Sequence, residues 1–184
     1  MSVGKRIAET IDKLTTEDYE GALIPASIAV DATASNEYPG QNNNSAFKNF
    51  VGDNFHIVTR VSSGGQSCFG ILRVKYSHPR ITSDANGACN VKDIFYHAVR
   101  CGLLHDAQLP TGIEFQKGNV ISVRDGHVIL PAEFITGLIV SVVLAPSNAN
   151  ETMPERYTMN LLNRSYILND LFGQRETFLK DWNT

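Results

Sequence analysis

The stretch NVKDIFYHAVRCGLLHD, from Asn90 to Asp106, decides the predicted fold, because its apolar residues recur at helical spacing. Asn90 is a good helix N-cap, and Asp93 places an acid in the first turn, where the helix dipole favours it. One face of the predicted helix is apolar and consists of Val91, Ile94, Phe95, Ala98, Val99, Gly102 and Leu103. We therefore expect a central helix over residues 90–106.

Two residues of this helix suit phosphate chemistry. Arg100 is a permanent cation that holds phosphate oxygens in a planar fork, and His105 titrates near neutral pH. On a straight α-helix, positions five apart lie about 140° apart around the axis and about 7.5 Å apart along it. On a single straight helix, Arg100 and His105 therefore do not lie on the same face.

The hexapeptide Arg-Cys-Gly-Leu-Leu-His, residues 100–105, resembles the Arg-x4-6-His signature of the HEPN superfamily of helical domains. It is most similar to bacterial members that read the same six residues just before a short β-hairpin, and the resemblance extends from Thr16 to Pro110. The resemblance implies a ribonuclease of toxin–antitoxin or phage-defence type that works as a homodimer, with both Arg–His pairs in one cleft. In active members the residue after the arginine is often Asn, Asp or His, whereas here it is Cys101.

The reaction that the resemblance implies is metal-independent RNA cleavage by attack of a ribose 2′-OH on the adjacent phosphorus. His105 would act as general base or acid, and Arg100 would stabilise the additional phosphate charge. Asp31 would orient one of these two groups, and Tyr96 would supply a hydroxyl. No cofactor is implied, and the implied partners are RNA, a second copy of the chain and an antitoxin protein.

Asp31 also stands out from the residues alone. A helix is predicted from about Thr16 to about Ser35, and it is apolar nearly all round, which is typical of a central core helix. Pro25 inside this stretch should kink the helix or mark its true beginning. Because a buried acid needs a partner, we expect Asp31 to pair with Arg100.

Composition indicates one domain of a non-membrane protein. The chain has 184 residues with 42% hydrophobic residues, and no linker divides residues 1–184. Its longest apolar run, Leu138 to Ala145, is too short to span a bilayer. Three cysteines without paired spacing favour reduced thiols and a cytoplasmic location.

The formal net charge of −3 argues against an indiscriminate nucleic-acid binder. The charge is unevenly distributed, however, because no acid lies between Asp53 and Asp84. Four cations in or beside that segment would be recruited to any RNA-binding surface. They are Arg60, Arg73, Lys75 and Arg80.

The remaining pattern predicts a mainly α fold, a HEPN-like helical bundle with a small β-hairpin insert. Further helices are expected at Val3–Leu14, from Ser45, at Phe69–Tyr76, at Phe134–Leu144 and at Pro154–Leu171. Phe55 to Val61 fits a helix or a strand. Strands of a hairpin or meander are expected at Ile113–Phe115, Asn119–Val123 and Val128–Leu130, with an Asp-Gly turn at Asp125.

Two alternatives use the same helix. His97, Cys101 and His105 lie at i, i+4 and i+8, but about 12 Å separates the outer two, which is too far for one metal ion to bind all three. A metal site with two ligands from this helix, completed by Cys89 or Cys68, is the remaining version of this alternative. No Cys-x2-Cys or His-Glu-x2-His motif supports it. The second alternative is a catalytically inactive helical dimer that binds a nucleotide or protein, and Cys101 favours it.

Overall fold

The computed structural model describes residues 2–68, 72–103, 109 and 111–182, apart from the side chains of Ala98 and Val99. The described residues form seven α-helices and also three small β-sheets, one of them with mixed parallel and antiparallel pairing. The prediction of a mainly helical bundle with one hairpin is therefore wrong, and the fold is mixed α/β.

The amino-terminal half is helical, largely as predicted. Its helices are α1 (Val3–Thr15), α2 (Tyr19–Glu37), α3 (Asn43–Asp53) and α4 (Phe55–Ser62). Asp18 caps α2 by accepting a hydrogen bond from the N–H of Gly21, so Pro25 lies inside the helix and does not mark its start. Asn42, and not Ser45, caps α3.

A two-stranded sheet follows where a helix was expected. Strand β1 (Arg73–Lys75) pairs antiparallel with β2 (Ala88–Asn90), so the helix predicted at Phe69–Tyr76 is wrong over its described part. The Asp84 side chain accepts hydrogen bonds from the N–H groups of Asn86 and Ala88, which fixes the turn that leads into β2. That local turn chemistry favours strand pairing over a helix.

The central stretch begins as predicted and then departs from α-helical geometry. Asn90 ends β2 and caps α5 (Val91–Ile94) through a hydrogen bond from the N–H of Lys92. The chain then continues as a π-helix over Phe95–Arg100, so the single α-helix expected over residues 90–106 is wrong. Residues 104–108, including His105, lie outside the described residues. A π-helical turn is rare and is frequently found at functional sites.

The second sheet contains β3 (Ile113–Gln116), β4 (Ser122–Arg124) and β5 (His127–Pro131) in the order β3-β5-β4. The predicted Asp-Gly turn joins β4 to β5, and both Asp125 and Gly126 have positive φ, at 51° and 81°. Strand β3, however, pairs with β5 in parallel. The strands are therefore not arranged as a simple hairpin or meander.

Helix α6 (Glu133–Leu144) is the centre of the core and packs against α2 and α4. Almost every side chain along it is buried, as its continuous apolar sequence predicts. The close contact between α6 and α4 occurs at Gly137, where an added Cβ would lie 2.7 Å from the Cα and the carbonyl oxygen of Val58. Only glycine fits at this crossing.

The carboxy-terminal region contains a hairpin in place of the helix predicted at Pro154–Leu171. Strands β6 (Thr158–Leu161) and β7 (Arg164–Ile167) pair antiparallel, and a short 3-10 turn follows at Leu168–Leu171. Leu162 and Asn163 form the connection with φ of 50° and 67°, which is the positive-φ pair that a tight hairpin turn requires.

Helix α7 (Arg175–Trp182) is the last element of the described residues. Phe178 and Trp182 pack into a small second core with Ile57 and Val140. Among the described residues, no helix is both long and apolar enough to cross a membrane.

Substituting Gly137 by alanine should lower the free energy of unfolding by about 1–3 kcal/mol, because the new methyl group meets backbone atoms that cannot rotate away. Denaturant unfolding monitored by circular dichroism measures this. The matched control is Gly52→Ala in α3, where the nearest atom would be Lys92 Cδ at 3.7 Å. The control should be neutral or stabilising by up to about 1 kcal/mol. Equal effects at the two positions would contradict the close α4–α6 contact.

Candidate functional site

An ion pair between Arg100 and Asp31 joins the end of the π-helix to the middle of α2. The Nε and Nη2 groups of Arg100 donate to the same Asp31 oxygen, Oδ2, at 2.9 and 2.8 Å. The two side chains are only 15% and 22% exposed. This confirms the pairing expected from an acid in an apolar helix.

Tyr96 lies beneath the Arg100 guanidinium. The Arg100 Cζ atom is 5.3 Å from the centroid of the Tyr96 ring, a cation–π contact made possible by their separation of four residues on one helix. Phe47 of α3 packs edge-on against the same ring, with centroids 5.4 Å apart. Tyr96 therefore contributes an aromatic platform to this cluster, and partial burial raises the pKa of its hydroxyl.

A second cation, Lys48 of α3, reaches the same ring. Its Nζ lies 5.5 Å from the Tyr96 centroid, 2.7 Å from Asp93 Oδ1 and 3.1 Å from His97 Nε2. Since a lysine ammonium has no lone pair, Nε2 must be the acceptor and His97 must be neutral in this contact. The side chains of Lys48 and Asp93 are 20% and 27% exposed, so solvent reaches this edge of the cluster.

The surroundings of His97 keep it neutral. Partial burial lowers its pKa, the charge of Lys48 lowers it further, and the charge of Asp93 opposes these effects. Arg80 and His78 also lie close enough to lower the pKa. At neutral pH, His97 is thus a proton acceptor held beside a fixed cation.

Burial also affects the Asp31 carboxyl. Its pKa is raised by removal from water, and the hydrogen bond and charge of Arg100 offset part of the rise. Cys101, next in sequence, is buried with its Sγ 3.8 Å from Arg100 Nη1. The Cys101 thiol therefore helps to enclose the Arg100 guanidinium.

We call the group formed by Asp31, Lys48, Tyr96, His97 and Arg100 the π-helix cluster. Asp31, Tyr96, Arg100 and the adjacent Cys101 were predicted from the sequence. Sequence reasoning missed Lys48 and considered His97 only as a metal ligand, because Lys48 lies 49 residues before His97 and no local pattern links them. His105, the predicted proton-transfer residue, lies outside the described residues.

The structure separates the four predicted RNA-binding cations. Arg73 and Lys75 project from the exposed face of β1, and Arg80 is exposed on the following loop. Arg73 pairs with Asp84 at 3.0 Å. Arg60 instead stacks on Trp182, with Cζ 5.3 Å from the ring centroid, so it belongs to the carboxy-terminal core and not to the β1 surface.

Metal binding has no further support within the part of the chain that the structure describes. There, no three His, Cys, Asp or Glu side chains group closely enough to hold an ion. His97 faces Lys48, and the Cys89 thiol donates to the carbonyl of Tyr76 at 2.9 Å. Cys68, Cys89 and Cys101 are free thiols.

The fold and the cluster define a mixed α/β protein with a half-buried cationic cluster on a π-helix. The chain belongs to the Rv1289 family, whose model matches residues 2–183. It is similar to the uncharacterized protein Rv1289 of Mycobacterium tuberculosis and the uncharacterized protein Mb1320 of Mycobacterium bovis, each 23% identical over 188 residues. These alignments cover 97% of this chain and 86% of each relative. No solved structure is significantly similar to it. None of these names states a substrate or reaction, so the HEPN relationship stays a prediction.

Removing the Asp31 carboxylate should leave Arg100 partly buried without its anion. Asp31→Ala should lower the free energy of unfolding by about 2 kcal/mol, less than the roughly 3–5 kcal/mol of a fully buried pair, because water still reaches both side chains. A double-mutant cycle with Arg100→Ala measures the coupling by denaturant unfolding. The matched control is the more exposed Arg73–Asp84 pair, whose coupling should be about 0–1 kcal/mol. Similar couplings for the two pairs would show that the Arg100 contact has no special structural role.

Proposed function

We propose that this protein is a metal-independent endoribonuclease of a toxin or phage-defence type that binds and cleaves RNA at the π-helix cluster. The observation that carries the proposal is the placement of two cations, Lys48 and Arg100, on the same Tyr96 ring, with the proton acceptor His97 beside one of them. Fixed cations beside a histidine are the groups that phosphodiester cleavage needs when no metal takes part.

In the proposed reaction, a base removes the proton of a ribose 2′-OH, and the resulting oxygen attacks the adjacent phosphorus. The bond from phosphorus to the 5′-oxygen of the next nucleotide breaks, and that oxygen takes a proton from an acid. The products are a 2′,3′-cyclic phosphate and a 5′-hydroxyl end. Arg100 stabilises the charge that accumulates on the phosphate oxygens.

The motif assigns proton transfer to His105, and the position of His97 makes it a second candidate for the same role. His97 is neutral at the start of the reaction, as a general base must be, and Lys48 is placed to stabilise a nearby phosphate. The reaction requires no cofactor. Because DNA lacks the 2′-OH, it is not a substrate.

A second candidate function is non-catalytic binding of a nucleotide or protein at the same cluster. The observation that favours it is the low exposure of Arg100, 15%, together with its donation to both Asp31 and Cys101. An arginine held in this way recognises a phosphate or an acidic group through its remaining N–H donors. Binding without cleavage would distinguish this function from the first.

We also propose a cytoplasmic location and a homodimer, with an antitoxin as a further protein partner. The three free thiols fit a reducing compartment. The dimer follows from the motif resemblance, in which two Arg–His pairs share one cleft.

Purified protein should cleave single-stranded RNA in the presence of EDTA, because no proposed group needs a metal. His105→Ala and His97→Gln test the two proton-transfer candidates, and loss of the residue that moves the proton should lower the rate by about 10²–10⁴-fold. Arg100→Lys should restore only part of the activity lost in Arg100→Ala, since a point charge does not grip two oxygens. Gel analysis of end-labelled RNA gives the rates and detects the cyclic phosphate.

The matched control for charge is Arg156→Gln, which removes an exposed arginine outside the cluster and should leave the rate unchanged. RNA with a 2′-deoxy residue at the cleaved position should resist. If the wild-type protein binds RNA but leaves a broad panel of sequences uncut, the non-catalytic function replaces the first proposal.

The composite site predicts a two-fold dimer with the residue 90–106 segments close to the axis. Light scattering at micromolar concentration should give twice the 20.2 kDa mass of the chain. A monomer at that concentration would contradict a site shared between two copies, and activity would then have to come from one chain.

A further inference from the structure

A cleft of about 840 Å³ lies between the ends of α1 and α4, the start of α6 and the β6–β7 hairpin. This volume falls in the range of about 300–1,000 Å³ that is typical of binding sites for small organic molecules. None of the residues that line the cleft belongs to the π-helix cluster. The cleft is therefore a separate candidate site, and it does not depend on the proposed ribonuclease function.

The walls of this cleft are largely apolar. Five of the apolar side chains that line it are only partly buried, namely Ile11, Leu14, Val61, Met159 and Leu162. They pack against the main core or the small second core on one side and line the cleft on the other. Apolar surface that is gathered around one concave site favours a ligand with an apolar body.

Helix α6 contributes two polar side chains to the cleft from a single face. Glu133 and Thr136 are three positions apart, so they are neighbours on the helix surface, and both are half-buried. Within the described part of the chain, the Glu133 carboxylate has no ion-pair partner and accepts only a long hydrogen bond, 3.4 Å, from the N–H of Gly118. Most of its acceptor capacity is therefore open to a ligand.

The Thr136 hydroxyl is also available, because it does not bond to its own helix. Threonines inside other helices, Thr10, Thr33 and Thr59, each donate to the carbonyl four residues earlier. Thr136 makes no such bond, and its hydroxyl has no other hydrogen-bond partner among the described residues. Its oxygen can therefore accept a hydrogen bond from a ligand that lies beside Glu133.

The charge of the lining favours a cation. Among the described residues, Glu133 is the only charged side chain that lines the cleft. A smaller recess of about 200 Å³ continues from it past Glu133 and adds Glu17 and Lys117. The Lys117 Nζ lies 3.8 Å from Glu17 and has no contact with Glu133, so the three charges together are net negative.

We propose that this cleft binds a small organic amine, whose ammonium group donates to Glu133 and Thr136 while its apolar body lies against α1 and the hairpin. A protonated primary amine has three N–H donors and one positive charge, which match one carboxylate, one hydroxyl and an otherwise neutral lining. An alcohol of similar shape lacks the charge, and Glu133 repels a carboxylate.

Isothermal titration calorimetry of the full chain at neutral pH tests this with three probes, phenylbutylamine, phenylbutanol and phenylbutyrate. They share a phenyl-alkyl body and differ in the terminal group, which separates the effect of charge from that of shape. The amine should bind saturably and about tenfold or more tightly than the alcohol, because a charged hydrogen bond is stronger than a neutral one. The carboxylate should bind most weakly.

Two cleft variants locate the binding. Glu133→Gln should weaken amine binding about tenfold or more and leave alcohol binding unchanged, and Thr136→Val should weaken amine binding about three- to tenfold. The matched control is Glu176→Gln, because Glu176 is an exposed acid in the first turn of α7 that does not line the cleft. The control should bind the amine like the wild type. Circular dichroism verifies that the variants are folded.

Absence of a saturable signal up to tens of millimolar amine would overturn the proposal. Equal affinities for the amine and the alcohol would overturn the assignment to a cation, and equal amine affinities in the wild type and both cleft variants would exclude this cleft as the site. Tighter binding of a short peptide with one lysine than of the amine would assign the cleft to a protein partner and overturn the small-molecule proposal. Because none of these substitutions touches the π-helix cluster, the outcome is independent of whether the protein cleaves RNA.

Discussion

The ion pair between Arg100 and Asp31 is the interaction on which the candidate site depends. It places a charge in the middle of α2, between buried apolar residues of that helix, and it connects α2 to the end of the π-helix. Removing either partner leaves the other partly buried and unpaired, which is much costlier than never having had the pair. The pair therefore fixes the position of Arg100. Arg100 in turn holds the Tyr96 ring, which Lys48 also contacts.

The cations of this acidic protein differ in the contacts that hold them. Several of them pair with acids near the surface, as in the contacts Lys13–Asp18 and Arg73–Asp84, and such exposed pairs contribute little to stability. Among the described residues, Lys48, Arg60 and Arg100 also stack on aromatic rings, and Lys48 and Arg100 pair in addition with Asp93 and Asp31. At the π-helix cluster, the ring contact and the ion pair together hold each cation in place, and the N–H donors that the carboxylate does not use are the ones suited to binding an anion.

Sequence reasoning succeeded where the deciding interaction was local or where only one partner was available. Helix α1 follows from its periodicity, and α2 and α6 follow from their continuous apolar runs. The Asp31–Arg100 contact follows from the cost of an unpaired buried acid. It failed where turn geometry overrode an ambiguous pattern. Leu162 and Asn163 adopt positive φ and turn a predicted helix into a hairpin; Asn163 is a good turn former, but Leu162 is not, so the pair does not read as a turn. Lys48 was missed because only the tertiary fold brings α3 to the π-helix.

The central claim is that the π-helix cluster binds RNA phosphate, and equilibrium binding tests it without requiring cleavage. Fluorescence anisotropy with a 2′-O-methyl RNA oligonucleotide, which lacks the reactive hydroxyl, would compare wild type with Lys48→Gln over a range of salt concentrations. If Lys48 contacts a phosphate, the variant should bind about tenfold more weakly, and the slope of log affinity against log salt should become shallower by about 0.7. The same affinity and the same salt slope in both proteins would contradict the claim.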